Sequence, residues 1–125
     1  RDGLGSSVVL TRGPDHVVLL FRTDVWQTIE DKLYGEALLT PSRIMQRLFS
    51  SRFQIGLDSR ARMAIPQVLR EWAGIEANGR VVMLGQGKSI ELWSKKYWDE
   101  YQNSFTSANT LEAASELGLG DLFRL

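Results

Sequence analysis

A chain of 125 residues with 43% apolar content can bury one ordinary hydrophobic core, or two small fused ones. It contains no cysteine, which excludes a disulfide framework and a thiolate metal site. The formal net charge is zero, which argues against a protein that coats nucleic acid regardless of its sequence. Because no apolar run approaches the ~20 residues that span a bilayer and no secretory signal opens the chain, we expect a cytoplasmic protein.

The first predicted elements are two strands and an amphipathic helix. Apolar runs at residues 8–10 and 20–21 flank a turn at residues 12–15, whose residue types tolerate tight backbone geometry. Thr23 is the predicted N-cap of the helix that follows. The apolar side chains of this helix fall on one stripe and are predicted core residues: Val25, Trp26, Ile29 and Leu33.

A helix predicted at residues 40–51 follows, with Thr40 as its N-cap and Pro41 at its first position. Arg43 and Arg47 lie on a different face from its apolar residues, which are Ile44, Met45, Leu48 and Phe49. Further along, Pro66 starts a short helix that Gly74 ends.

The strand–turn–strand–helix pattern then returns, offset by about 72 residues. Apolar residues 81–83 and 92–93 repeat the two strands, the segment 85–88 repeats the turn, and Ser94 is the predicted N-cap of the helix. Its stripe is aromatic and is also predicted to be core: Tyr97, Trp98, Tyr101 and Phe105. The tail is predicted to be helical from about Thr110 to Leu117 and to have an apolar end.

The segment 57–66 carries the functional signal. In an extended backbone Asp58, Arg60 and Arg62 share one face, so the two guanidinium groups stand side by side with a carboxylate near them. Two such arginines on a hairpin suit phosphate oxygens and guanine edges, which predicts a DNA-binding module. The alternative is an internal Asp58–Arg62 salt bridge that only holds the hairpin.

Positive charge is concentrated around this segment. Between residues 43 and 62 the only acidic residue is Asp58, and acidic residues gather elsewhere, including the tail. A basic patch on a neutral protein favours site-selective DNA binding. Three further arginines are candidates for backbone contact, although each is equally well explained as a solvated side chain: Arg43, Arg47 and Arg52.

The sequence offers no catalytic, cofactor or metal site. His16, the single histidine, falls at a turn, and the segment 85–88 is too short for a phosphate loop and joins strand to strand. Asp99 and Glu100 are adjacent on a helix and share no face. No cluster has metal-ligand spacing, so we expect a protein that is not an enzyme and has no cofactor or small-molecule substrate.

Asp58-Ser59-Arg60-Ala61-Arg62 followed by Ile65-Pro66 resembles the D-x-x-x-R signature of the MraZ family, in the AbrB/SpoVT swapped-hairpin superfamily. The segment 85–101 and the first half, 8–33, are similar to the same family. The resemblance implies an α+β fold in which two tandem modules form a pseudo-dimeric, swapped-hairpin β-barrel flanked by short helices. It divides the chain into an N-terminally incomplete first module (1–39), a linker helix (40–52), a second module (53–105) and a tail (106–125).

The resemblance also implies a function. MraZ proteins are bacterial, nucleoid-associated transcriptional regulators that bind G-containing repeats in the promoter of the division and cell-wall gene cluster, which includes their own gene. Their partners are double-stranded DNA and other copies of themselves in a ring, with no membrane. By matching positions, Asp58, Arg60 and Arg62 inherit the signature role.

The sequence departs from the family pattern in two ways. The second departure, together with the zero net charge, favours an alternative, an antitoxin-like or ring-scaffold interaction module without DNA binding. Ala61 stands where the signature usually has glycine. The counterpart of Asp58 in the first module would fall ahead of Arg1, and residues 1–5 resemble the helix end at 70–74. We therefore expect the first signature hairpin to be missing.

Overall fold

The computed structural model describes residues 7–35, 40–60 and 62–123. The predictions made for residues 1–5, Ala61 and the end of the tail lie outside these ranges. The described elements, in chain order, are β1 (Ser7–Gly13), β2 (Val17–Arg22), α1 (Thr23–Gly35), α2 (Thr40–Leu48), β3 (Phe53–Gly56), α3 (Gln67–Ala73), β4 (Val81–Gln86), β5 (Ser89–Ser94), α4 (Lys95–Asn103) and α5 (Ser107–Glu116). Short 3-10 helices occupy Pro14–His16, Phe49–Ser51 and Gly120–Phe123.

The described strands form one antiparallel sheet in the order β3-β1-β2-β5-β4. Val8 lies opposite Arg22 on one side and Ile55 on the other, so β1 is a central strand. Because β2 pairs with β5, the two halves of the chain share a single sheet. The α+β class is confirmed, whereas the swapped-hairpin barrel and the module boundaries stay predictions.

One face of the sheet packs against α3. Its core consists of Val8, Leu10, Val18, Leu20, Leu69, Ala73, Ile75 and Leu92. The predicted end of α3 is confirmed: Gly74 adopts φ +67°, and the Ile75 N–H donates to the Arg70 carbonyl over 2.9 Å. Ile75 is buried, so this helix end is also anchored by an apolar contact.

The opposite face packs against α1 and the segment after α2. Val9 and Phe21 point to this side because side chains alternate along a strand. They join Trp26 and Phe49 in a second core, where the Trp26 and Phe49 rings meet edge to face with centroids 5.3 Å apart. Val25, Ile29 and Leu33 pack around this cluster, which confirms the apolar stripe of α1.

The prediction that the aromatic stripe of α4 belongs to the core is wrong, because no residue of α4 is buried and Phe105 is 49% exposed. The rings contact their neighbours at the surface instead. The rings of Trp93 and Tyr101 stack with centroids 4.6 Å apart, and Phe105 contacts Tyr101 edge to face at 4.7 Å. Tyr97 contacts a different neighbour, since its ring stacks on that of His16 at 5.0 Å. This contact joins α4 to the turn of the first hairpin.

Helices α4 and α5 begin at capping side chains. Ser94 Oγ accepts a hydrogen bond from the Tyr97 N–H over 3.1 Å, which confirms the predicted N-cap of α4. Helix α5 begins at Ser107, three residues before the predicted start. The reason is a capping box in which Thr106 and Asn109 each accept from the other's backbone N–H.

Candidate nucleic-acid interface

Residues 57–60 and Arg62 belong to a loop after β3 that hydrogen bonds close. The Asp58 N–H donates to the Arg62 carbonyl over 3.0 Å, and Ser59 and Arg60 occupy a turn. The expectation of an extended segment with Asp58, Arg60 and Arg62 on one face is therefore wrong. An aspartate side chain can bond the backbone two residues ahead, and that local bond replaces the extended conformation.

The Asp58 carboxylate closes this loop. Oδ1 accepts hydrogen bonds from the backbone N–H groups of Arg60 and Arg62, both over 2.8 Å, and Oδ2 accepts from Arg62 Nε over 2.8 Å. These donors favour the ionised carboxylate. The pKa of Asp58 is lowered, mainly by the bond from the Arg62 backbone and further by the Arg60 backbone and the Arg62 side chain, against a desolvation effect that raises it.

The two loop arginines have different surroundings. The Arg62 side chain forms a salt bridge with Asp58. For this residue the structure therefore shows the alternative, an internal salt bridge. The Arg60 guanidinium is exposed and has no hydrogen bond or ion pair with the described residues. A guanidinium group carries five donors in a planar fork, and in Arg60 all five are available to a ligand.

The three backbone-contact candidates lie apart from the loop. Arg52 precedes β3 and pairs with Glu30 of α1 over 2.9 Å, so its charge is compensated. Arg43 and Arg47 are exposed on α2 and have no ion pair within the described ranges. The structure thus brings Asp58, Arg60 and Arg62 together in one loop. The other three lie outside it, two on α2 and one just before β3.

Arg43 and Arg47 line a groove of about 400 Å³. Its other lining residues are Arg12, Ile44 and Leu48. Arg12 donates from Nε to the Leu48 carbonyl over 3.0 Å and from Nη2 to the Arg47 carbonyl over 2.6 Å. Because these carbonyls lie at the end of α2, Arg12 compensates the negative end of that helix.

Sequence reasoning missed a cluster that fastens the first hairpin turn to the second half of the chain. Trp72 Nε1 donates to the carbonyls of Gly13 and Val17, both over 3.0 Å, and the Arg12 guanidinium lies 5.3 Å from the centre of the Trp72 ring. His16 is an exposed turn residue as predicted, and its Nδ1 lies 3.1 Å from the Trp72 carbonyl oxygen. These partners are more than 50 residues apart in sequence, so no local pattern could reveal them.

The residues that were considered for enzyme chemistry take part in turns and ion pairs of the fold. Gly87, at φ +63°, lies in the turn between β4 and β5, so the glycine-rich segment is a hairpin turn. Asp99 pairs with Lys95 over 2.6 Å. Within the described ranges no group of histidine and acidic residues could hold a metal ion, and no helix is long and apolar enough to cross a membrane.

The described structure presents, beside an antiparallel sheet, a loop that a carboxylate closes and an exposed arginine that the described residues leave unpaired. Because a guanidinium group suits anionic partners, these features indicate a small binding module. Comparison with known proteins agrees with this class. The family model of the MraZ protein, described as antitoxin-like, matches residues 48–120. The chain belongs to the MraZ family.

Curated relatives carry the name transcriptional regulator MraZ. The protein of Clostridium beijerinckii is 35% identical over 122 residues, which is 95% of this chain and 84% of the relative. That of Caldanaerobacter subterraneus is 35% identical over 119 residues, or 94% and 81% of the two chains. That of Treponema denticola is 34% identical over 116 residues, or 90% and 78%.

Proposed function

We propose that this protein is a sequence-specific, DNA-binding transcriptional regulator of the cytoplasm and nucleoid. It binds G-containing repeats in the promoter of the bacterial division and cell-wall gene cluster, including its own gene. The observation that carries the proposal is the Arg60 guanidinium, which is exposed and has no partner among the described residues, on a loop that Asp58 closes. The name transcriptional regulator, borne by its curated relatives, supports the same function.

We infer a different role for each of three residues in the loop. Arg60 enters the major groove and donates to O6 and N7 of a guanine, the commonest specific arginine contact. Asp58 keeps the loop in the shape that presents Arg60, since it holds the backbone N–H groups on which that shape depends. Arg62 is held by Asp58 through Nε, and its remaining donors are suited to a neighbouring phosphate.

The arginines outside the loop have unequal support as phosphate contacts. Arg52 has the least, because Glu30 already pairs with it. Arg43 and Arg47 are free of ion pairs in the described structure, and two kinds of partner offer the negative charge that they need: the DNA backbone and a second copy of the chain.

Self-association is part of the proposal. One six-residue loop offers little interface, so useful affinity requires several loops to meet several DNA repeats at once. A ring-shaped homo-oligomer would link these contacts, and such linkage raises the apparent affinity ~10²–10⁴-fold over that of a single contact.

Fluorescence anisotropy with a duplex from upstream of the gene and a scrambled duplex tests the function. Arg60→Ala is expected to weaken binding to the native duplex by about 5- to 150-fold, the equivalent of about 1–3 kcal/mol for a lost base contact. Arg80→Ala is the matched control, because Arg80 is also exposed and unpaired in the described structure, and it should change affinity little. Equal affinities of the Arg60→Ala variant and the wild type would remove Arg60 from base recognition.

The salt dependence separates specific binding from non-specific attraction. If about six phosphates are neutralised, affinity falls roughly 10³-fold between 50 and 200 mM salt. The preference for the native duplex should persist across this range, because base contacts release no counterions.

An antitoxin-like protein-interaction module is the second candidate. The description of the matching family model and the zero net charge favour it. Equal affinities of the wild-type protein for the native and the scrambled duplex at 50 mM salt would favour this candidate.

A further inference from the structure

Two helices carry complementary pairs of charges that have no ion-pair partner in the part of the chain that the structure describes. Arg43 and Arg47 are four residues apart on α2, and Glu112 and Glu116 are four residues apart on α5. None of the four has an ion pair within the described residues. Like charges at this spacing lie on one face and repel each other, so each pair would be stabilised by a partner carrying the other.

Apolar side chains accompany both pairs. Next to Arg43, the Ile44 side chain is 63% exposed and lines the groove of about 400 Å³. Next to Glu112, Leu111 is 50% exposed, and Leu117 beyond the helix is 74% exposed. Exposed apolar residues rimmed by charge mark interaction surfaces.

The wider segments have opposite charge. Residues 43–52 contain three arginines and no acidic residue, whereas residues 107–121 contain three acidic residues and no basic one. Electrostatic complementarity of this kind steers association and fixes the register of an interface.

We propose that α5 of one copy docks into the α2 groove of a second copy. Glu112 and Glu116 then pair with the two groove arginines, and Leu111 covers Ile44. This inference rests on the self-association in the proposed function and deepens it by naming the two surfaces. The contact joins different patches, so the copy that inserts α5 keeps its own groove free and the copy that receives it keeps its own α5 free. The contact can therefore repeat until the assembly closes.

The observations favour a second copy over DNA as the occupant of the groove. A phosphate would satisfy Arg43 and Arg47 but would leave Ile44 in water, where burial by a leucine is favourable. DNA would also leave Glu112 and Glu116 without a partner. The Arg60 loop lies outside the groove, so docking leaves it free for DNA.

Sedimentation velocity of the full chain tests the contact with charge-reversed variants. Arg43→Glu/Arg47→Glu and Glu112→Arg/Glu116→Arg should each weaken self-association at least about 100-fold, because like charges then face each other. An equimolar mixture of the two variants should re-form the assembly, since their reversed surfaces match. Arg80→Glu/Lys88→Glu makes the same change in net charge at exposed positions outside the groove and should leave the assembly intact.

The outcomes separate this inference from the proposed function. Recovery in the mixture supports the contact and excludes misfolding, and far-UV circular dichroism checks each variant alone. Variants that remain assembled while the wild type is also assembled overturn the docking surface but leave self-association standing. A monomeric wild type overturns both. If the Arg43→Glu/Arg47→Glu variant loses DNA binding but stays assembled, the groove binds DNA and the inference is overturned. The Arg60→Ala variant, in contrast, should lose DNA affinity and keep the assembly.

Discussion

The two halves of the chain share one sequence pattern but differ in how much of it is buried. Leu10 on β1 is 0% exposed, whereas Met83, at the matching position of β4, is 59% exposed. Trp26 of α1 is buried, and its counterpart Trp98 on α4 is only half-buried. A repeat in the sequence therefore does not imply a repeat in packing.

The difference comes from the neighbours of each half. Strand β3 pairs with β1, and Phe49 covers Trp26, so residues 49–56 complete the packing of the first half. Strand β4 is at the edge of the described sheet. The burial of an element thus depends on which other segment packs over it, and the periodicity of its own sequence does not predict that segment.

Paired tryptophan substitutions give the largest expected contrast. Trp26→Ala should lower the free energy of unfolding by about 3–5 kcal/mol, because it leaves a cavity beneath Phe49 and Phe21. Trp98→Ala should cost less than about 2 kcal/mol, since less of its surface leaves water on folding. Urea denaturation measures both, and equal losses would mean that the two halves are covered alike.

A second pair tests the strands. Leu10→Ala should cost about 2–5 kcal/mol, whereas Met83→Ala should change stability by less than about 0.5 kcal/mol because surface substitutions have small effects. Thermal unfolding followed by circular dichroism gives both values. A large loss in Met83→Ala would show that β4 is covered in solution.

Thr11 offers a gain of stability. It is fully buried, and its Oγ1 has no hydrogen-bond partner among the described residues. Apolar Leu84 stands at the matching position of β4. Thr11→Val removes the unsatisfied hydroxyl at nearly constant shape and should stabilise the protein by about 1 kcal/mol. Thr11→Ser keeps the hydroxyl and should destabilise it, so a stabilised serine variant in the same denaturation assay would contradict this explanation.

The smallest expected effect is the pH dependence of the loop that the Asp58 carboxylate closes. The folded-state pKa of Asp58 is below that of the unfolded chain, so its stabilising contribution is present at neutral pH and is lost as pH falls below about 4. In an NMR titration the amide signals of Arg60 and Arg62 should move together in this acidic range. Asp58→Asn should abolish the transition, and a midpoint at or above about 4 would contradict the assigned bonds.

Sequence patterns predicted the elements whose causes are local. The stripe of α1, the end of α3 at Gly74 and the Ser94 cap depend on residues within a few positions of one another. The extended form of residues 58–62 was wrongly predicted because the Asp58 side chain competes with the backbone conformation. The sheet order and the Trp72 cluster could not be predicted, because they depend on residues far apart in the chain.

The interleaved sheet order also affects how the protein is synthesised. The partner of β2 on its open side is β5, and 67 residues separate Arg22, the end of β2, from Ser89, the start of β5. At ~5–20 residues per second on the ribosome, this edge waits roughly 3–13 s for its partner. The nascent chain thus exposes a hydrophobic strand edge for seconds, the interval in which a chaperone or a neighbouring chain can bind it.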